Sequence, residues 1–253
     1  MIFFSKNQQS HRYKGLIEYN GSSYFGMQKQ KYTDNTIESK IEIALKKLCQ
    51  KDIKIGYSGR TDAGVHAIQQ VIHFDLKDER FDAKNILFGL NFYLKSENIV
   101  ILKIEKAKQN FHARFDAKKR TYKYSIINRE IPSILHKNDK YFVQRKLNIK
   151  MMKKVAKILQ GKHDFSAFCH SECNRNKIRT ICNIKIIRNH ENIDIFISAK
   201  SFLHNMVRII IGTMIDVVLE KITLEDFKKS FKEGKRIGHT APPHALFFVK
   251  TKY

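Results

Sequence analysis

Strand-like and helix-like hydrophobic patterns alternate along both halves of this sequence, and the connections between them are short. A chain with this alternation forms a layered fold in which helices cover a sheet, of the α+β or α/β class. The strand-like patterns cover residues 13–19, 53–59, 68–76, 99–107, 119–128, 178–188, 192–200 and 246–250. The helix-like patterns cover residues 37–48, 83–94, 148–160, 203–220 and 224–232. We therefore predict two similar units packed together, residues 1–112 and 113–253, with the boundary within residues 108–117.

Polar residues and apolar periodicity give further detail on three of these helices. Asn35 or Thr36 can cap the first helix, and Asp82 can cap the second. In the helix near residues 203–220, the 3.6-residue period places six apolar side chains in one stripe: Leu203, Met206, Val207, Ile210, Met214 and Val217. His204, Arg208 and Gly212 follow each other at four-residue spacing beside that stripe. We predict a buried helix with a basic edge.

The chain is strongly basic, with 48 Lys and Arg against 24 Asp and Glu and a formal net charge of +24. A polyanion such as nucleic acid is the expected partner, because each neutralised phosphate releases counterions and favours binding. The alternative cause is the lysine-rich composition of proteins from AT-rich genomes, and both causes can act together. The charge alone therefore predicts affinity for nucleic acid and nothing about chemistry.

Cysteine usage and hydropathy indicate a cytoplasmic protein. The cysteines have no regular spacing and stand at positions 49, 169, 173 and 182. This arrangement fits a reducing compartment. The longest apolar segment, Ile209–Leu219, contains Gly212 and Asp216 and is much shorter than the roughly 20 residues that a membrane span needs. The N-terminal residues turn polar too early for a signal peptide.

The segment from Gly56 to Ala67 places a small polar cluster between glycines at the end of a predicted strand. Glycines at such a place allow a tight turn and a close approach of a ligand. If the chain is extended across Arg60 and Asp62, the two side chains project from the same face. The guanidinium would then keep the carboxylate ionised and fix its direction. A plain turn is the alternative, because Asp and Gly are ordinary turn formers.

The nine residues Gly-Arg-Thr-Asp-Ala-Gly-Val-His-Ala, positions 59–67, resemble the signature of the TruA family of tRNA pseudouridine synthases. Further matches occur in the order of the family's motifs, at Arg120–Tyr124, Gly161–Phe168, Phe202–Arg208 and Thr240–Pro242. The sequence departs from the family at one place, where Ala245-Leu246 stands for the usual Gly-Leu. Because alanine has a β-carbon, it does not easily take a positive φ, and we expect an altered loop there.

The resemblance implies the pseudouridine synthase fold, an α+β architecture of two similar units with antiparallel sheets around a central basic cleft. It also implies isomerisation of uridine to pseudouridine at tRNA positions 38, 39 and 40, in the anticodon stem-loop, by a homodimer without a cofactor. Forming pseudouridine involves no oxidation, reduction or hydrolysis, which agrees with a reaction that needs no cofactor or metal.

The resemblance also implies roles for five residues. Asp62 is the catalytic carboxylate, and Tyr122 stacks on the extruded base. Arg60 fills the gap that the flipped nucleotide leaves. Arg208 pairs with the carboxylate or with a substrate phosphate. Leu246 contacts the substrate in the final active-site loop.

Two other functions compete with this interpretation. The first is a catalytically silent tRNA-binding protein or RNA chaperone on the same fold. The second is a zinc protein, with the metal held by residues from the set His163, Cys169, His170, Cys173 and Cys182. The usual second ligand pair of a zinc site is missing, and the zinc deaminase motifs His-x-Glu and Pro-Cys-x-x-Cys do not occur. For His66, His73 and Cys49 we predict structural roles only.

Overall fold

The computed structural model describes residues 10–77, 81–169 and 176–253. The chain divides into two compact units. The first unit contains the residues up to Ala63 together with Ala67–Ala117, and the second contains Gly64–His66 and Lys118–Tyr253. Each unit has a largely antiparallel sheet with helices packed on it, so the fold is α+β.

The first unit is built on the antiparallel strand order β4-β1-β3-β2. Its strands are β1 (His11–Tyr19), β2 (Gly56–Tyr57), β3 (His66–Leu76) and β4 (Ile99–Lys106). Its helices are α1 (Ile37–Cys49) and α2 (Ala83–Tyr93), and a short 3-10 turn spans Gly21–Ser23. The two helices pack on each other, and α2 also packs on β4.

Both helices of the first unit begin where a side chain satisfies a backbone N–H group that has no partner within the helix. The hydroxyl of Thr36 accepts the Ser39 N–H at 3.2 Å, so Thr36 rather than Asn35 caps α1. Asp82 caps α2 and forms a reciprocal capping box with Asn85. The core of this unit is apolar, and its fully buried members include Ile17, Ile37, Ile41, Leu45, Ile72, Ile86 and Leu90.

The second unit contains the strand order β10-β5-β9-β8-β7, all antiparallel, with β6 added parallel to β5. The strands are β5 (Lys119–Asn128), β6 (Tyr141–Val143), β7 (Gly161–Asp164), β8 (Ile178–Asn189), β9 (Asn192–Ala199) and β10 (Leu246–Lys252). The helices are α3 (Ile149–Leu159), α4 (Met206–Val218) and α5 (Leu224–Glu233). Short 3-10 turns span Ser166–Phe168 and Pro243–Ala245. Helix α3 packs on β8 and α4.

Three strands differ from the sequence prediction, each because backbone pairing rather than side-chain pattern defines it. The strand predicted over residues 53–59 shortens to Gly56–Tyr57, whose residues are in register with His73 and Ile72 of β3. Strands β6 and β7 were not predicted. The first has only three residues, and the second, Gly161–Asp164, is a polar edge strand whose sequence has no apolar alternation.

The long helix of the second unit also differs from the prediction. It begins at Met206 because Asn205 has a left-handed conformation with φ 59°, which interrupts the helical path. His204 therefore lies before the helix, and the predicted basic edge of His204, Arg208 and Gly212 is wrong. Gly212 is buried, and a β-carbon there would lie 2.1 Å from the carbonyl oxygen of His239.

Replacing Gly212 with alanine should lower the free energy of unfolding by about 1–3 kcal/mol, because overpacking against a backbone carbonyl outweighs alanine's higher helix propensity. Urea unfolding measures the change. Gly89→Ala in α2 is the matched control, since its new β-carbon would meet the movable end of the Leu48 side chain. Equal stability of Gly212→Ala and wild type would contradict the contact with His239.

Candidate active site

Asp62 lies in the irregular loop that connects β2 to β3. Residues 59–62 have no regular secondary structure, and the turn that follows is formed by Ala63 and Gly64, which has a φ of +77°. Asp62 is half-buried, whereas Arg60 is exposed. The structure therefore places the predicted catalytic carboxylate directly before a turn that depends on glycine.

A continuous chain of hydrogen bonds lies beneath this loop. The Ser58 hydroxyl donates to the Gln70 side-chain oxygen at 2.9 Å, and the Gln70 amide donates to the Tyr19 hydroxyl at 3.1 Å. The Tyr19 and Thr61 hydroxyls are 2.7 Å apart. All four residues are buried, and we call them the buried polar chain. Burial raises the pKa of Tyr19, so the phenol keeps its proton.

The backbone of the same loop is held from a second direction. The Thr61 carbonyl accepts the Met27 N–H at 3.1 Å. Gly26 makes this approach possible, because it has a φ of +87° and a β-carbon there would lie 2.6 Å from the Thr61 oxygen. Thr61 is therefore fixed through its side chain and its carbonyl, and Asp62 is the next residue.

Arg60 interacts with the phenol of Tyr57. Burial raises the pKa of Tyr57, the charge of Glu38 raises it further, and the hydrogen bond and charge of Arg60 oppose both effects. The Tyr57 hydroxyl also lies 3.4 Å from a Glu38 carboxylate oxygen. Since Arg60 is exposed, its guanidinium is accessible to a ligand from solvent.

In the second unit, Tyr122 occupies the middle of β5, opposite Phe248 of β10 and Ile197 of β9. Its ring meets Phe202 and Phe248 at nearly perpendicular angles, with both centroid distances at 5.1 Å. Only 8% of Tyr122 is exposed. These contacts fix the orientation of the ring and leave little of it open to solvent.

Arg208 lies in the first turn of α4 and holds the segment 238–242, which we call the strap. Its Nε–H donates to the Ala241 carbonyl at 2.8 Å, and its own carbonyl accepts the Ala241 N–H at 3.1 Å. A terminal nitrogen of Arg208 also donates to the Asn205 side-chain oxygen at 2.9 Å. The guanidinium is thereby held in a defined position.

Two further residues, Asp216 and Tyr124, hold the strap. The Asp216 carboxylate lies 2.7 Å from Nδ1 of His239 and also accepts the His239 N–H at 3.2 Å. The Tyr124 hydroxyl donates to the Pro242 carbonyl at 3.0 Å. Because Asp216 is largely buried, the contact between Asp216 and His239 anchors the strap from inside the unit.

Leu246 is the first residue of β10, pairs with Tyr124 and is 4% exposed. Ala245 before it ends the 3-10 turn Pro243–Ala245 and is not among the residues with positive φ. The expectation of an altered loop at Ala245 is therefore wrong, because this position does not require the left-handed region that favours glycine.

Sequence reasoning missed the residues that hold the site in place. A glutamine within the apolar run of β3 was a usable signal for Gln70, since a buried amide needs partners. The roles of Tyr19, Gly26 and Asp216 depend on contacts between residues far apart in sequence, and no local pattern indicates them.

Two residues of the suggested zinc site, His163 and Cys169, have other contacts, and Cys182 is an exposed free thiol. Nε2 of His163 donates to the Gln160 carbonyl at 2.8 Å, and the Cys169 thiol lies 3.5 Å from the Ser166 carbonyl. His170 and Cys173 lie outside the described residues. Within residues 10–77, 81–169 and 176–253, no group of three or more His, Cys, Asp or Glu is arranged to hold a metal ion.

His66 and His73 make structural contacts. His66 donates from Nε2 to the His244 carbonyl at 2.8 Å and stacks on Phe247. Nδ1 of His73 accepts the Ala113 N–H at 3.3 Å, and burial, followed by the charge of His112, lowers the pKa of His73 to about 4. These contacts agree with the structural positions predicted for both histidines.

Comparison with known proteins identifies the class to which this fold and loop belong. The sequence profile of the tRNA pseudouridine synthase family matches residues 16–116 and 155–253, which include Asp62, Arg208 and Leu246 but not Tyr122. The chain therefore belongs to the tRNA pseudouridine synthase family, whose members are isomerases that convert uridine in tRNA to pseudouridine.

Individual relatives cover almost the whole chain. A protein of Ehrlichia chaffeensis is 44% identical over 245 residues, 96% of this chain and 100% of its own. A protein of Wolbachia pipientis wMel is 44% identical with the same coverage. A protein of Anaplasma phagocytophilum is 41% identical over 250 residues, again 96% of this chain and 100% of its own. All three are named tRNA pseudouridine synthase A. Among the described residues, no helix is long and apolar enough to span a membrane.

Replacing Tyr19 with phenylalanine should lower kcat of uridine isomerisation and also the free energy of unfolding. Removing the hydroxyl leaves the buried amide of Gln70 without its acceptor, which costs about 1–3 kcal/mol, and takes away one of the two restraints on Thr61. Because the substrate-binding groups are untouched, KM should change little. Tritium release from C5-labelled tRNA measures kcat and KM, and urea unfolding measures stability.

The matched control is Tyr24→Phe in the same unit. The Tyr24 hydroxyl donates to Glu97 at 2.9 Å, so its loss should also reduce stability, but it does not touch the Asp62 loop. If both variants lost kcat in proportion to stability, the buried polar chain would have no specific positioning role.

Proposed function

We propose that this protein isomerises uridine to pseudouridine at positions 38, 39 and 40 of tRNA, with Asp62 as the nucleophile and without a cofactor. One observation carries the assignment to Asp62. The carboxylate is half-buried directly after Thr61, which the buried polar chain and the Met27 N–H hold on two sides. A reacting group held in one position loses little entropy on reaching the transition state.

The chemistry fits a carboxylate. The bond between ribose C1′ and uracil N1 breaks, the base turns within the site, and a bond forms between C1′ and C5. The C5 hydrogen leaves as a proton, and N1 gains a proton, so the product has the same atoms as the substrate. A covalent bond to a carboxylate divides this reaction into two easier steps.

The other proposed residues bind the substrate. A uridine inside a stem must leave the base stack to reach Asp62, and the exposed guanidinium of Arg60 is suited to fill the space it leaves. Arg208 binds a substrate phosphate in this proposal, because its hydrogen bonds to Ala241 and Asn205 fix the direction of its guanidinium. Leu246 supplies apolar contact.

Tyr122 is the proposed stacking partner of the extruded uracil. Contacts with Phe202 and Phe248 restrict the ring, so little rotational freedom is lost when a base binds. Since only 8% of Tyr122 is exposed, a base that stacks on its ring must displace a neighbouring side chain. Stacking of this kind contributes about 1–3 kcal/mol per base.

The proposal extends to the partner and the compartment. The formal charge of +24 supports binding of the anticodon stem-loop through its phosphates, with recognition by shape. The described cysteines, Cys49, Cys169 and Cys182, are free thiols, as expected in the cytoplasm. We assign the protein a homodimeric state on the resemblance to its family, and light scattering of the purified protein would test this.

Asp62→Asn should lower the rate of tritium release from tRNA labelled at C5 of uridine by roughly 10³-fold or more, because an amide is a much weaker nucleophile than a carboxylate. Affinity for tRNA should stay within about threefold, since the amide keeps the shape of the side chain. The matched control is Asp52→Asn, an exposed carboxylate that pairs with Lys46 and should leave the rate unchanged.

Mapping pseudouridine in the product tRNA tests the position of the reaction. Product at positions 38, 39 and 40 supports the proposal, and product elsewhere would retain the enzyme but refute the substrate site. If wild type bound tRNA and released no tritium, the protein would instead be a silent tRNA-binding protein.

A further inference from the structure

Helix α3 presents to solvent a row of lysines without any acidic residue. The exposed lysines are Lys150, Lys153, Lys154 and Lys157, and we call them the α3 lysine face. The basic character extends past both ends of the helix. From Arg145 to Lys162 the sequence contains seven basic residues and no Asp or Glu.

The α3 lysine face repels itself. Four pairs lie three or four residues apart on the helix surface: 150/153, 150/154, 153/157 and 154/157. Like charges at these spacings destabilise a helix, and Lys150 is also unfavourable near the positive end of the helix dipole. Among the residues that the structure describes, none of these four ammonium groups lies within 4.0 Å of a carboxylate.

Helix α5 provides the contrast within the same unit. It also exposes three lysines, Lys228, Lys229 and Lys232. Here acidic residues share the helix, with Glu225 and Asp226 in the first turn and Glu233 at the end. Glu225 precedes Lys229 by four residues, which is the favourable order of such a pair. The two helices thus carry similar numbers of lysines, but only the charge of α3 is uncompensated.

The opposite side of α3 is already in use. Met152, Val155 and Leu159 are fully buried, in contact with the rest of the second unit. An interfacial membrane helix needs a free apolar face to insert among lipids, and α3 has none to offer. What remains available for a partner is the charge alone.

We propose that the α3 lysine face binds the sugar-phosphate backbone of tRNA, at a surface additional to the catalytic residues. This inference rests on the proposed tRNA substrate. From Lys150 to Lys157 the helix rises by about 10 Å, which matches about three phosphates along one strand of a duplex. Lysine ammonium groups on flexible stems contact phosphates as point charges, so this surface positions the RNA without reading its sequence.

The test compares two variants of the whole protein with the same loss of charge. The first is Lys153→Gln/Lys154→Gln/Lys157→Gln, which removes every like-charge pair of α3. The second is Lys228→Gln/Lys229→Gln/Lys232→Gln in α5. Binding of unmodified tRNA is measured over a range of salt concentrations, together with tritium release and thermal unfolding of each free protein.

For the α3 variant, the plot of log K for tRNA binding against log salt concentration should become less steep by about 2. Each lost phosphate contact contributes about 0.7–0.9 to this change. Its affinity for tRNA should fall about tenfold or more near physiological salt, with KM raised and kcat unchanged. Its Tm should rise by about 2–4 °C, because the repulsion within the helix is relieved. The α5 variant should keep the wild-type slope to within about 1 and lose thermal stability.

Opposite changes in tRNA affinity and Tm are the signature of a binding surface, since general loss of folding would lower both. A wild-type salt slope for the α3 variant, or an equal drop for both variants, would overturn the inference. Absence of tritium release from wild type would refute the proposed function while the salt slopes still report on RNA binding. Binding of wild type and the α3 variant to vesicles containing anionic lipid is also measured. If the α3 substitutions weakened binding to vesicles but not to tRNA, the α3 lysine face would be a membrane-binding surface instead.

Discussion

The contact between the hydroxyls of Tyr19 and Thr61 is the interaction on which the position of the Asp62 loop depends. It links the last residue of β1 to the residue before Asp62, and Gln70 joins it from β3. A loop containing two glycines and an exposed arginine has little apolar surface with which to hold itself in place. Its position is set instead by buried polar groups, each of which would lose a partner if the loop moved.

The helices could largely be predicted from the sequence because their apolar periodicity and their caps are local properties. The spacing of the apolar residues after Thr36 was sufficient to predict α1, and Asp82 was sufficient to predict the start of α2. The prediction failed at two places. Asn205 adopts a left-handed conformation within an apolar pattern that predicted a continuous helix, and Gly161–Asp164 is a strand only because β8 supplies its partner.

The candidate site divides in the same way. The resemblance of residues 59–67 to a known signature pointed to Asp62 and Arg60, and family membership was then established over most of the chain. The assigned roles of Tyr122, Arg208 and Leu246 stay predictions. What the sequence could not supply was the pairing within the supporting set, because the partners are far apart in the chain: Gly26 with Thr61, Gln70 with Tyr19 and Asp216 with His239.

The attachment of the Asp62 loop to β1 and β3 also affects how the protein opens. Many enzymes place their reactive residues on loops that unfold locally at little cost, but here freeing the loop means breaking buried hydrogen bonds to two strands of the sheet. The backbone amides near Asp62 should therefore belong to the same cooperative unit as the core strands in hydrogen exchange.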